Sequence, residues 1–191
     1  HKKGADTEMR VGPARAVQQG WITPKTMAVA TAVTLALAFL VGLYLISVGG
    51  WPIAAIGVAS LICAVAYTGG PLPLAYVGLG DVFVFVFFGL AAVGGTCFVQ
   101  LLHVPPSAWF AGAAIGLLAT AILVVNNLRD RKTDAIANKR TLAVRFGPRV
   151  ARLEHMACFV LAYLSVTAAV AFEFAPIMWL LVWLSLPLAI H

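Results

Sequence analysis

The sequence predicts an all-α fold, a polytopic bundle of membrane helices, and three observations carry that prediction. Apolar residues make up 62% of the 191 and charged residues 10%, whereas a soluble domain is about half apolar and about a quarter charged. All 13 Lys and Arg residues lie within 1–25 and 129–152, and the 100 residues from Thr26 to Val125 hold one formal charge, Asp81. No predicted span alternates polar and apolar residues with period two, which argues against a membrane barrel. A lone globule of this length has too little interior to hide so much apolar surface. A soluble domain, a disordered chain and a secreted disulfide scaffold are thereby excluded. Cys63, Cys97 and Cys158 stand far apart in apolar runs and read as small buried hydrophobes.

A hydrocarbon core about 30 Å thick takes about 20 residues of helix. Breakers divide the chain into six spans of roughly that length. The first, 26–48, is closed by Gly49-Gly50 and Trp51-Pro52. The second, 52–68, ends in Gly69-Gly70-Pro71-Leu72-Pro73, and the third, 80–102, ends at His103-Val104-Pro105-Pro106. The fourth is 107–125. Beyond the second basic stretch lie spans at 150–172 and 176–190, the last opened by Pro176. Gly112 and Gly116 form GxxxG in the fourth span and predict close helix packing. Trp51, Trp109, Trp179 and Trp183 fall near span ends, where indoles anchor at the membrane interface.

Four spans separate the two basic stretches, so both lie on one side, the cytoplasmic one by the positive-inside rule. The 69–79 loop falls there too. The turns near 49–51, 103–106 and 173–175 carry no Lys or Arg, as outward turns should. The first basic stretch is polar, contains Gly12-Pro13 and runs into a full-length span, unlike a signal peptide.

Polar groups cluster only on the cytoplasmic face. If the fourth helix continues past the membrane, Asn126, Asp130 and Asp134 stand at i, i+4 and i+8 as an oxygen-rich stripe, with Asn127 beside it. Two carboxylates one turn apart repel unless a cation neutralises them. Mg²⁺ takes hard oxygen ligands and bridges to substrate phosphates; the alternative is a solvated helix end with local Arg–Asp pairs. Lys139, Arg140 and Arg145 follow directly. Acid for a metal and then base for a phosphate is the order that a metal–diphosphate complex requires. Arg149 and Arg152 read as ordinary positive-inside charge. Asp81 opens the third span, where an acid is costly and serves either function or a snorkelling or N-cap role. Phe83, Phe85, Phe87 and Phe88 either line a prenyl tunnel or pack against lipid and neighbouring helices.

The segment NNLRDRKTDAIANKRTLAVRFG (126–147) resembles the second aspartate-rich motif of the UbiA superfamily of intramembrane prenyltransferases. It looks most like the 1,4-dihydroxy-2-naphthoate prenyltransferases of menaquinone synthesis. Residues 4–22 resemble the loop that closes the family's first aspartate-rich motif, and 67–89 resemble its middle cytoplasmic loop and next helix. The resemblance implies a helical bundle, typically of nine spans, that transfers a polyprenyl chain from its diphosphate to an aromatic acid with Mg²⁺ as cofactor. In the naphthoate subfamily the product is a demethylmenaquinone. Sister subfamilies take 4-hydroxybenzoate or homogentisate, and the remaining alternative is a non-catalytic membrane subunit. Carried over by position, Asp130, Asp134, Asn126 and Asp6 would hold the metal. Arg15, Gln18, Asn127, Lys139, Arg140 and Arg145 would bind substrate, and Tyr67 and Asp81 would stand at the pocket mouth. The implied setting is the bacterial inner membrane, with the site facing the cytoplasm, a lipid bilayer around it and no nucleic acid partner.

The family's N-D-x-x-D precedes the Gly-x-Asp seen here as Gly4-Ala5-Asp6, and it is not among the 191 residues. Two upstream spans and a last downstream span are also missing. The expectation is therefore a single prenyltransferase domain over 1–191, a fragment or truncated product that does not turn over alone.

Overall fold

The computed structural model describes residues 16–67 and 74–187. Among these the regular structure is helical throughout. Helix α1 is Pro24–Gly49. Thr23 caps it by accepting from the Thr26 amide at 3.1 Å, and Pro24 needs no partner for a missing N–H. Gly50, at φ 66°, reverses the chain, and α2 is Trp51–Ala66. The third span is one continuous helix, Gly80–Leu101, in three parts: α3 (Gly80–Val84), a π-helical segment (Phe85–Ala91) and α4 (Ala92–Leu101). Leu102 ends it in the left-handed conformation. Helix α5 is Pro106–Arg129, α6 is Arg131–Ile136 and α7 is Leu142–Ala171. Gly147, at φ 81°, breaks α7 just before Pro148, so its membrane part starts close to the predicted residue 150.

Among the described residues, four helices are long and apolar enough to cross a membrane: α1, Gly80–Leu101, α5 and α7. Helix α2, at 16 residues, is shorter. The sixth predicted span departs from expectation. Residues Ile177–Ser185 form a 3₁₀ helix, about 18 Å long at about 2 Å per residue, where an α-helix was expected. Ile177 to Leu184 are all apolar, so no periodicity selects a 3.6-residue turn over a 3.0-residue one. Docking on α7 decides instead. Tyr163 and Ser185 hydroxyls meet at 2.8 Å, and the Trp183 indole donates to Thr167 Oγ1 at 3.1 Å. Residues 188–190 of that predicted span lie outside the described residues.

The bundle is built on small residues. Helices α5 and α7 meet through Val124, Ala143 and Ala151, with Leu128 packed alongside. Ala121 on α5 and Cys158, Ala162 and Ala169 on α7 are also buried. GxxxG packs as predicted. A β-carbon at Gly89, in the π-helical segment, would stand 2.6 Å from the Gly116 Cα and 2.5 Å from the Gly112 carbonyl oxygen. Trp109 does more than anchor: its ring lies across Gly94, where a β-carbon would come within 3.1 Å. Helix α1 packs on α2 and α4 and leaves none of its most apolar 18-residue stretch buried. Lipid tails are as apolar as these side chains, so such exposure carries no hydrophobic cost in a bilayer.

Candidate active site

The π-bearing helix and α5 cross closely because glycine faces glycine. That crossing brings Asp81, at the start of α3, against the polar end of α5. Asp81 and Asn127 are both buried, at 7% and 6% exposure. Asn127 Nδ2 donates to Asp81 Oδ1 at a long 3.5 Å, across 46 residues of sequence. Thr120 donates to the Gly116 carbonyl at 2.8 Å and leans toward the Asp81 carbonyl at 3.4 Å. A buried carboxylate and amide so held satisfy part of one another's hydrogen-bonding need. Tyr67, which ends α2, places its hydroxyl over Gly80, within 3.2 Å of where a β-carbon would stand.

The α5–α6 junction keeps helical hydrogen bonding. The Asp130 amide bonds to the Asn126 carbonyl at 3.0 Å, and the Asp134 amide to the Asp130 carbonyl at 2.8 Å. The predicted continuation past the membrane thus exists, with Asp130 as the joint. The Arg129 fork grips Asp130 through two 2.8 Å bonds, the local pair foreseen as the alternative to a metal. Asp134 is buried. Asn138, at φ 56°, takes the left-handed conformation in which a helix commonly ends. It turns the chain so that the Lys139 amide reaches the Asp134 carbonyl at 2.8 Å and its ammonium reaches the Asp134 carboxylate at 3.0 Å. Lys139 also lies within electrostatic reach of Asp81.

The remaining predicted residues separate. Asn126 lines an apolar groove between α5 and α7, with Ile122, His155 and Phe159, and is not bonded to Asp81 as Asn127 is. Gln18 lies within a turn closed by the Trp21 amide on the Ala16 carbonyl at 2.9 Å. Asp6 and Arg15 fall outside the described residues. Arg140 and Arg145 attach the 74–79 loop: the Arg140 amide donates to the Tyr76 carbonyl at 2.9 Å, and the Arg145 guanidinium to the Val77 carbonyl at 2.9 Å.

Gly78 makes that loop junction possible. Its φ is 83°, and a β-carbon there would stand 2.6 Å from the Arg140 carbonyl oxygen. Gly78→Ala is expected to cost about 1–2 kcal/mol for the left-handed backbone alone and to part the two loops. Hydrogen–deuterium exchange should then show a faster Arg140 amide, with α5 amides unchanged.

Phe83, Phe87 and Phe88 line a cleft of about 550 Å³ between α2 and the third span, together with Ser60, Cys63 and Tyr67. Phe83 and Phe87 stack with centroids 6.0 Å apart. Phe85 instead packs against Gly116. Sequence reasoning missed Thr120, Gly78, Asn138 and Glu154. Glu154 is half-buried on α7. Its signal was available, as an acid inside a span invites suspicion of function.

Among the described residues, no group of three His, Cys, Asp or Glu side chains is placed to hold a metal ion. The donors that are present suit Mg²⁺, which commonly takes one or two carboxylates and completes its shell with water and phosphate oxygens. Asp130 and Asp134 would supply the carboxylates.

The chain is 37% identical over 190 residues to a 1,4-dihydroxy-2-naphthoate octaprenyltransferase of Haemophilus influenzae, covering 95% of this chain and 62% of that protein. It is 41% identical over 168 residues to the Escherichia coli protein of the same name, covering 85% and 54%. With the Bacillus subtilis protein so named it is 31% identical over 186 residues, covering 97% and 60%. The chain thus spans between half and two thirds of the length of these relatives. No solved structure gives a significant match. Residues 3–191 match the UbiA prenyltransferase family, and with these identities that match places the chain within the family.

Proposed function

We propose that the chain is the greater part of an enzyme that transfers a polyprenyl group from its diphosphate to 1,4-dihydroxy-2-naphthoate. One observation carries the reading: Tyr67 lines an apolar cleft and sets its hydroxyl over Gly80, next in sequence to the buried Asp81 that Asn127 contacts. A prenyl diphosphate is itself an apolar tail with a charged head, and an apolar cleft beside a polar cluster suits it. The names of the relatives supply the acceptor.

Asp130 and Asp134 would hold Mg²⁺, which would supply positive charge to offset that of the leaving diphosphate. Lys139, and Arg15 by its place in the sequence, donate to the departing oxygens. The apolar cleft keeps water from the allylic cation left behind. Tyr67 and Asp81 stand where the tail meets the head. The electron-rich ring attacks the cation at the carbon bearing its carboxylate. Loss of that carboxylate as CO₂ restores the aromatic ring and gives the hydroquinone form of a demethylmenaquinone. The site faces the cytoplasm of a bacterial inner membrane, because the basic residues gather on that side.

The test uses the complete reading frame in membranes of a strain lacking its own naphthoate prenyltransferase, with octaprenyl diphosphate as donor. The expected result is Mg²⁺-dependent prenylation of 1,4-dihydroxy-2-naphthoate with release of CO₂, abolished by EDTA. Preference for 4-hydroxybenzoate or homogentisate would move the protein to a sister specificity. No transfer to any of the three would overturn the reading.

A further inference from the structure

The cations that follow the acidic stripe do not act as one group. Lys139 turns onto Asp134. Arg140 and Arg145 line a different cavity of about 580 Å³, with Tyr76, Val77, Ile136 and Asn138. Among the described residues no carboxylate lines it. A metal–diphosphate complex needs acids to hold its metal, so the described lining suits an anion that arrives without one.

Its shape favours an oxyanion. Arg145 is fixed by its bond to the Val77 carbonyl at 2.9 Å, which takes up one of its five N–H donors. The Arg140 main chain is pinned to Tyr76, while its exposed side chain forms no ion pair among the described residues. Two guanidinium forks, one anchored and one at hand, suit a planar carboxylate or a phosphate through paired hydrogen bonds. The flank is apolar: Ile136 is 60% exposed beside the cavity, so the anion sits on an apolar body. Both arginines lie between the end of α6 and the break in α7 at Gly147, where the chain leaves the bilayer.

We infer that the cavity between the 74–79 loop and the 136–145 segment is a metal-independent site for an oxyanion carried on an apolar body. Two sources have that chemistry, the carboxylate of the aromatic acceptor and the headgroup phosphate of an anionic phospholipid. The inference deepens the proposed prenyl transfer and rests on it only for the acceptor. Its test reads binding without turnover, so the two can fail separately.

The experiment uses the complete protein in nanodiscs, with Arg140→Gln and the conservative Arg140→Lys. One arm measures binding of 1-hydroxy-2-naphthoate, and of 1-naphthol as the ring without the carboxylate, in EDTA. The other measures retention of phosphatidylglycerol by native mass spectrometry. An acceptor site predicts that the naphthoate binds in EDTA and is weakened about 10-fold or more by Arg140→Gln, a loss of about 1.4 kcal/mol. Arg140→Lys should recover part of it, and 1-naphthol should be indifferent to either variant. A lipid site predicts the same order of effects on phosphatidylglycerol retention, with naphthoate binding unchanged. If neither ligand responds to Arg140→Gln, or if the naphthoate binds only with Mg²⁺ present, the inference fails.

Discussion

Asp134→Asn is expected to lower prenyl transfer by about 100-fold or more in the complete protein, while the protein still inserts and runs as a single species in detergent. Removing one group from a charge-stabilising clamp typically costs about 3 kcal/mol at the transition state. Asp134 is the buried acid of the stripe and holds Lys139 at 3.0 Å. The amide keeps the shape and one oxygen but loses the charge that would draw both Mg²⁺ and the lysine. Asp130→Asn is expected to act in the same direction, although there the lost partner is the Arg129 fork. The measurement is initial rate against Mg²⁺ concentration for each variant. Activity within a few-fold of wild type for both would make the stripe a set of local ion pairs and remove the metal from it.

Gly89→Ala is expected to be the most disruptive single methyl in the bundle. Its β-carbon would meet the Gly112 carbonyl oxygen at 2.5 Å and the Gly116 Cα at 2.6 Å. Both are backbone atoms, so no flexible side chain can give way. Overpacking of this kind costs about 1–3 kcal/mol and occasionally more, a fall on the order of 5 °C in Tm for a chain of this size. Separating the third span from α5 would also draw Asp81 from Asn127, so activity should fall with stability. Gly42→Ala is the control, because a β-carbon there meets nothing within 4 Å. Thermal unfolding in detergent should leave Gly42→Ala within about a degree of wild type; an equal shift in both would mean that the glycine contact does not hold the helices together.

Much of this was legible in one dimension. The membrane spans follow from composition, and their boundaries from Gly and Pro. Gly50 and the Pro105-Pro106 pair stand where helices end or begin. The helical spacing of Asp130 and Asp134 was legible because helix hydrogen bonding carries through Asp130, but Asn126, the third member read into that stripe, lines an apolar groove instead. The 177–185 segment was not, since a uniformly apolar run has no period to read and its winding follows its docking on α7. Nor was the break in the seventh helix read as such, although Gly147-Pro148 marks it.

The sequence by itself determined the solvent, the class of fold and the order of acid before base, because charge segregation and local spacing are properties of the chain alone. Tertiary structure alone decided which polar groups meet. Asn126 and Asn127 are adjacent and chemically identical, yet one faces His155 in an apolar groove and the other faces Asp81. Lys139 and Arg140 are adjacent cations, yet one holds an acid and the other lines a separate cavity. Successive helix residues point about 100° apart, and successive loop residues diverge as widely. Which of two neighbours faces the site therefore depends on how each element is rotated against the others. That rotation is set by distant contacts such as Gly89 on Gly116 and Gly78 against Arg140.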